Sequence, residues 1–189
     1  MKSYMSNRYT DEYIYEFIRS IMKTVAIDLE LKQDHSGINM SYNFIGHYIG
    51  VDFERLISSW KEIQASFSLE SYIKVLTMHE LGHSMDRLSL LESLERTVEI
   101  FQTKNSHLVS EIYNDRDLLA MVIEEHEMNI SFEQTAWFNA EQLNRKFSLV
   151  DLASYELVKK HSLESYQRLY IEDFKLYEIL LESINEKTA

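Results

Sequence analysis

No cysteine and no proline occur among the 189 residues, and glycine appears only four times, as Gly37, Gly46, Gly50 and Gly82. Without cysteine there are neither disulfides nor thiolate metal sites, so any metal must be held by nitrogen and oxygen ligands. Without proline, and with so little glycine, few positions break a helix, which predicts a mostly helical protein with short loops. Basic residues are also in short supply: 19 Lys and Arg stand against 31 Asp and Glu, a formal net charge of −12. Nucleic acid and anionic membranes need Lys and Arg to displace the counterions around phosphates, so neither is an expected partner. No apolar run reaches the length of a signal peptide or a transmembrane helix. The expectation is a cytoplasmic protein. An apolar content of 45% suffices for a core, and the length suits one domain over 1–189.

Periodicity then predicts an α+β fold that is predominantly helical. Thr10 is a plausible N-cap, and Tyr13, Ile14, Phe17, Ile18 and Ile21 repeat at helical intervals to about Thr24, giving an N-terminal helix within 1–24. Residues 25–146 hold a sheet and a candidate site. "VAIDLEL" (Val25 to Leu31) alternates, and "INMSYNF" and "HYIGVDF" read as two further short strands, with Gly46 and Gly50 marking a bulge or tight turn and His47 a sheet-edge residue. Ser68 caps a helix through "LESYIKVLTMHELGHSMDRL". Leu88, Leu91, Leu94, Val98 and Phe101 form a three-four stripe expected to pack on the core, and "TKNSH" ends that helix. Asp115 or Asp117 opens another helix, Ser131 with Gln134 forms a capping box for a separate one, and Ser148 with Asp151 begins one more. Within 147–189, a C-terminal helical extension, the stripe Tyr166, Leu169, Tyr170, Leu176, Tyr177 and Leu180 implies a final packed helix from Ser162 to Ile184.

The most specific stretch is "TMHELGHSMD", Thr77 to Asp86. An α-helix turns once in about 3.6 residues, so His79 and His83 project from one face and can point at a single ion. Glu80 lies beside them. In H-E-x-x-H zinc enzymes the two histidines are ligands and the glutamate is a general base toward water. His pairs also occur on ordinary helices, so the motif needs a helix, a concavity and a third ligand, because two histidines alone hold zinc poorly. Gly82 costs about 1 kcal/mol relative to alanine in a helix interior, which predicts that another element approaches there closely.

Downstream of the motif stand His107, His126, His161 and several glutamates. Ser89 occupies the position six residues past His83 and Asp86 the position three past it, which excludes the longer three-histidine metzincin motif. Glu133 ranks first as third ligand: Ala136 and Ala140 follow on its face of the helix, and a small-residue face lets that helix approach the histidine helix. The competing account makes both alanines ordinary core and Glu133 a favourable anion in a first helical turn. "EEHE" (Glu124 to Glu127) has the look of a solvated face, although His126, seven residues before Glu133, is a candidate for stabilising an oxyanion. Asp86 is placed to orient a histidine through its second ring nitrogen, or to pair with Arg87 or Arg96 at the surface.

"HELGHSMD" followed later by Glu133, Ala136 and Ala140 resembles the gluzincin class of zinc metallopeptidases, in particular the ImmA/IrrE-like proteins, over roughly Ile38 to Leu143. A weaker resemblance joins His79, Glu80, Gly82, His83 and Asp86 to the H-E-x-G-H-x-x-D of lethal-factor-like peptidases. Two features depart from the first family: a long helical insertion from Leu88 to Asp117, and Trp137 where a polar residue often stands. The resemblance implies a small sheet packed on a zincin-type helix, Zn2+ as cofactor, a peptide or protein substrate, hydrolysis through water deprotonated by Glu80, and a regulatory protease of narrow specificity. The alternative is a catalytically inactive zinc-binding or metal-free module that contacts a protein partner through its acidic helical surface. Of the side chains able to donate a hydrogen bond to a transition state, Tyr113, Tyr155 and His126 are candidates.

Overall fold

The computed structural model describes residues 9–63 and 67–188, with side chains through 182; the part of the N-terminal segment before Tyr9 lies outside the described residues. In chain order the elements are α1 (Asp11–Val25), β1 (Glu30–Gln33), β2 (Met40–Asn43), β3 (Tyr48–Val51), α2 (Phe53–Glu62), α3 (Leu69–Met85), α4 (Arg87–Glu92), α5 (Leu94–Ser106), α6 (Val109–Ile112), α7 (Arg116–Phe147) and α8 (Leu152–Thr188). The fold is α+β and predominantly helical, with one small sheet. Contacts divide it into two compact units, residues 1–87 with 135–158 and residues 88–134 with 159–189, so that α7 and α8 each contribute to both. Among the described residues no helix is long and apolar enough to cross a membrane.

In the first unit, α1 begins where Thr10 Oγ1 accepts the amide of Tyr13 at 3.1 Å and buries Ile14, Ile18, Ile21, Met22 and Val25. It ends because Ala26 turns left-handed, at φ 58°, and its N–H returns to the carbonyls of Lys23 and Met22. That cap consumes the start of the alternating run expected from Val25 to Leu31: the strand forms later, over Glu30–Gln33, with Leu31 its buried residue. The sheet order is β1-β3-β2, with β1 parallel and β2 antiparallel to β3. Met40 pairs with Val51 and Tyr42 with Ile49, so the core face is carried by alternate residues. The turn between β2 and β3 puts His47, not a glycine, in the left-handed region at φ 55°. Gly50 makes no bulge; it lies in the paired run of β3, where a side chain would meet the Asp34 carboxylate.

One helix of this unit is absent from the expectation above. Asp52 ends the third strand and caps α2, accepting the Arg55 amide at 3.0 Å and the Gly37 amide at 3.1 Å. Phe53 and Leu56 then face inward. The capping aspartate followed by helically spaced apolar residues is the signal; the run "HYIGVDF" obscured it by reading as strand to Phe53. The helix expected after Ser68 forms as α3, with Ser68 Oγ accepting the Ser71 amide at 3.1 Å. Almost every residue of α3 from Tyr72 to Gly82 is buried, because α1, α2 and β2 all pack on it.

The second unit corrects three expectations. The stripe from Leu88 to Phe101 is not one packed helix: α4 and α5 meet at Ser93, and Leu88, Val98 and Phe101 are exposed. The inward face of α5 is instead Arg96, Ile100 and Lys104, spaced four apart, with Ile100 buried, Arg96 paired to Glu124, and Lys104 2.5 Å from Glu125 of α7. The face of α5 turned to α7 thus carries one fully buried apolar residue, Ile100, flanked by two ion pairs. Ser131 starts nothing: α7 runs unbroken from its cap at Asp115, whose Oδ1 accepts the amides of Asp117 and Leu118. Likewise α8 runs through Ser162 from its cap at Asp151, which accepts the Ser154 amide at 2.9 Å. Tyr177 and Leu180 of the expected stripe pack on Ile112, Leu119 and Val122, whereas Leu169 and Leu176 are exposed. The short α6 is also unanticipated.

Candidate metal centre

The four-residue spacing does what helical geometry requires. His79 and His83 leave α3 on one face with ring centroids 4.7 Å apart, and Glu80, beside them, is buried. Glu133 lies in the interior of α7 and is 8% exposed; the first-turn account of it therefore fails, since no helix begins near it. One ligand atom each from His79, His83 and Glu133 lies within 4.8 Å of the other two, and among the described residues no other three His, Asp or Glu side chains do so. In tetrahedral zinc sites with ligands at about 2.0–2.1 Å, ligand atoms sit about 3.3 Å apart.

The close approach of two helices makes this convergence possible. A Cβ added to Gly82 would lie 3.0 Å from the carbonyl carbon and 3.2 Å from the Cα of Ala136, and closer still to its carbonyl oxygen. Ala136 and Ala140 are buried to 1% and 0% exposure, and Asn139 Nδ2 donates to the Gly82 carbonyl at 3.0 Å. The small face of α7 is thus pressed against the backbone of α3 and fastened to it by an amide hydrogen bond.

Trp137 shares that face, four residues after Glu133. It is fully buried, and its indole stacks on the His79 imidazole with centroids 4.2 Å apart and planes 22° from parallel. Tyr155 of α8 meets the indole edge-on at 5.8 Å, and its hydroxyl donates to the Trp137 carbonyl at 2.8 Å. Burial drives the Tyr155 phenol above its ordinary pKa, and the carboxylates of Glu141 and Glu156 add to the shift. Tyr155 is therefore a packing and anchoring group with its proton already committed. The indole was within reach of sequence reasoning through its four-residue spacing from Glu133, as was Asn139, a lone polar residue between Ala136 and Ala140.

Asp86 stays at the end of the histidine helix, three residues past His83, where it is the C-cap of α3 and its backbone N–H donates to the His83 carbonyl at 3.1 Å. His126 is not brought together with the triad. Its Nε2 lies 2.8 Å from Asp173 Oδ2, an oxygen that also accepts the Tyr113 hydroxyl at 3.2 Å. Of the three donors considered for a transition state, His126 and Tyr113 thus share one carboxylate, while Tyr155 donates to the Trp137 carbonyl. His107 and His161 are exposed, the former 2.8 Å from the Thr103 carbonyl. Arg87, considered above as a partner for Asp86, donates from Nε to the Phe44 carbonyl at 2.9 Å, tying the β2–β3 turn to the residue that follows the cap of α3. Arg96 pairs with Glu99 and Glu124.

Compared with protein-family models, with curated proteins and with solved structures, the chain finds no match.

Proposed function

We propose that this chain is a zinc-dependent metallopeptidase whose metal is held by His79, His83 and Glu133. The observation that carries the reading is the convergence of three ligand atoms from two segments fifty residues apart in the chain, all within 4.8 Å. Two imidazoles and one carboxylate form the donor set that zinc hydrolases use while leaving a fourth position open. Zinc bound there would supply Lewis acidity, lowering the pKa of water toward about 7 and polarising a carbonyl. Glu80, the residue after the first ligand, takes a proton from the attacking water as the new C–O bond forms. It returns that proton to the amine nitrogen as the C–N bond breaks.

The net charge of −12 supports a peptide or protein substrate over nucleic acid, and the reading includes a cytoplasmic location and a regulatory substrate range narrow enough to escape generic peptide assays. A second reading, a non-catalytic zinc site in a protein-interaction module, is favoured by the burial of His79, Glu80 and Glu133. The test is metal content by mass spectrometry on protein purified without added metal, beside Glu133→Ala. The expected result is about one zinc per chain, lost in the variant. No zinc after supplementation would end the metallopeptidase reading. Zinc retained with neither peptide cleavage nor binding of a hydroxamate would favour the non-catalytic site.

A further inference from the structure

We propose that Trp137 is a positioning residue for His79: its indole plane holds the imidazole in the orientation that presents a ring nitrogen to the metal. The inference rests on the metal-centre reading above. The terminal torsion of a histidine is broad, so an imidazole without a neighbour on its face samples many directions. Here the indole lies nearly parallel to it at 4.2 Å. The indole is fixed in turn, by the edge-on ring of Tyr155 and by the hydroxyl that holds the Trp137 carbonyl at 2.8 Å. Metal binding then meets a ring whose rotational freedom has already been removed, which is the general route by which preorganisation tightens binding.

The indole nitrogen makes this more than packing. Trp137 Nε1 is buried and has no hydrogen-bond partner among the described residues. A buried donor left unsatisfied works against folding. Phenylalanine or leucine would fill the core without stranding an N–H, so the feature peculiar to tryptophan here is the broad plane laid over His79. Ligating histidines are ordinarily oriented by hydrogen bonds to their second nitrogen, and loss of such support weakens metal binding about 10–100-fold. A stacked indole performs the same service through the ring face.

The test measures zinc affinity by competition with a chromogenic chelator in the full chain, Trp137→Phe and Trp137→Leu, with thermal unfolding of each zinc-free protein alongside. Trp137→Leu should bind zinc about tenfold more weakly. Trp137→Phe, which keeps an aromatic face, should recover most of that loss whatever happens to its unfolding temperature. Equal affinity in the full chain and Trp137→Leu overturns the role, as does a phenylalanine variant no better than leucine. Should the leucine variant fail to fold, Trp60→Phe leaves Trp137 the single tryptophan of the chain. Its emission should then shift with zinc and saturate at the binding stoichiometry; emission unmoved by bound zinc overturns the proposal. A wild-type chain that takes up no zinc overturns the metal centre itself, an outcome separate from the others.

Discussion

Gly82 and Ala136 meet backbone to backbone, with no room for a methyl group between them: a Cβ on Gly82 would lie 3.0 Å from the Ala136 carbonyl carbon. The obstacle is main chain, which cannot rotate aside. Replacing Gly82 by alanine gains about 1 kcal/mol of helix propensity. Overpacking of a close-packed interface costs about 1–3 kcal/mol. The balance is an expected net destabilisation of up to about 2 kcal/mol, with loss of the Asn139 hydrogen bond as α7 moves away. Denaturant unfolding reads the first effect and zinc content the second; a variant as stable as wild type that keeps its zinc would mean that the helices separate at no cost.

In the proposed mechanism Glu80 separates binding from chemistry. As glutamine it keeps its size but cannot accept a proton from water, and it is not one of the three converging ligands. Glu80→Gln should retain zinc while hydrolysis falls about 10²–10⁴-fold, the contribution typical of a positioned general base. Turnover at the wild-type rate in a zinc-loaded variant would remove Glu80 from the mechanism.

Alkaline pH should unfold the protein through its buried phenols. Burial lifts Tyr72 to about 12, with Arg55 opposing the shift, and it lifts Tyr155 as well. In the unfolded chain both ionise near the ordinary tyrosine value of about 10. Below that pH both states hold the proton and the contribution to stability is complete. Above it the unfolded state gives up protons that the native state keeps, so stability falls from about pH 10 until the native phenols also ionise. Tyr72→Phe should flatten this decline, measured as unfolding free energy against pH between 9 and about 12. An unchanged slope would show that Tyr72 ionises in the native state as easily as in the unfolded one.

Asp173 accepts from both His126 and Tyr113, and its side chain is 13% exposed. Asp173→Ala takes the acceptor from the half-buried His126, while the exposed Tyr113 hydroxyl can turn to water, which should cost about 1 kcal/mol. Zinc content should not change, because neither donor belongs to the triad. Zinc loss in a folded Asp173→Ala would instead tie His126 to the metal centre, as the sequence alone allowed.

Most elements that the sequence made legible have ends that carry a chemical signal, although Asp52 caps α2 in the same way and that helix was masked by the strand before it. Thr10, Ser68 and Asp151 cap their helices through side-chain oxygens, and Gly82 announces a close neighbour, since no other advantage offsets glycine in a helix interior. Ser131 failed as a cap because a serine followed by glutamine three residues on is only an option for the backbone, and the i to i+4 ladder of α7 was already running through it. The stripe of Leu94, Val98 and Phe101 misled for a different reason. Periodicity counts apolar side chains, whereas α5 buries Ile100 alone and flanks it with Arg96 and Lys104, which reach two glutamates of α7. At the candidate site, the three side chains that converge were legible from spacing and from two alanines. The Trp137 stack was not, because a tryptophan beside an apolar face reads as core until its partner ring is known.

The interior position of Glu133 on α7 bears on how fast an ion could be exchanged. A carboxylate near a frayed helix end moves whenever the end opens. Glu133 has both its amide and its carbonyl within a continuous hydrogen-bonded run from Arg116 to Phe147. Its carboxylate changes direction only by rotation about its own side-chain bonds. For an ion held there, this carboxylate would move by side-chain torsion and not by fraying of a helix end, and the amides of α7 that exchange only through larger openings should slow when the ion binds, because an ion held by the native state alone stabilises it.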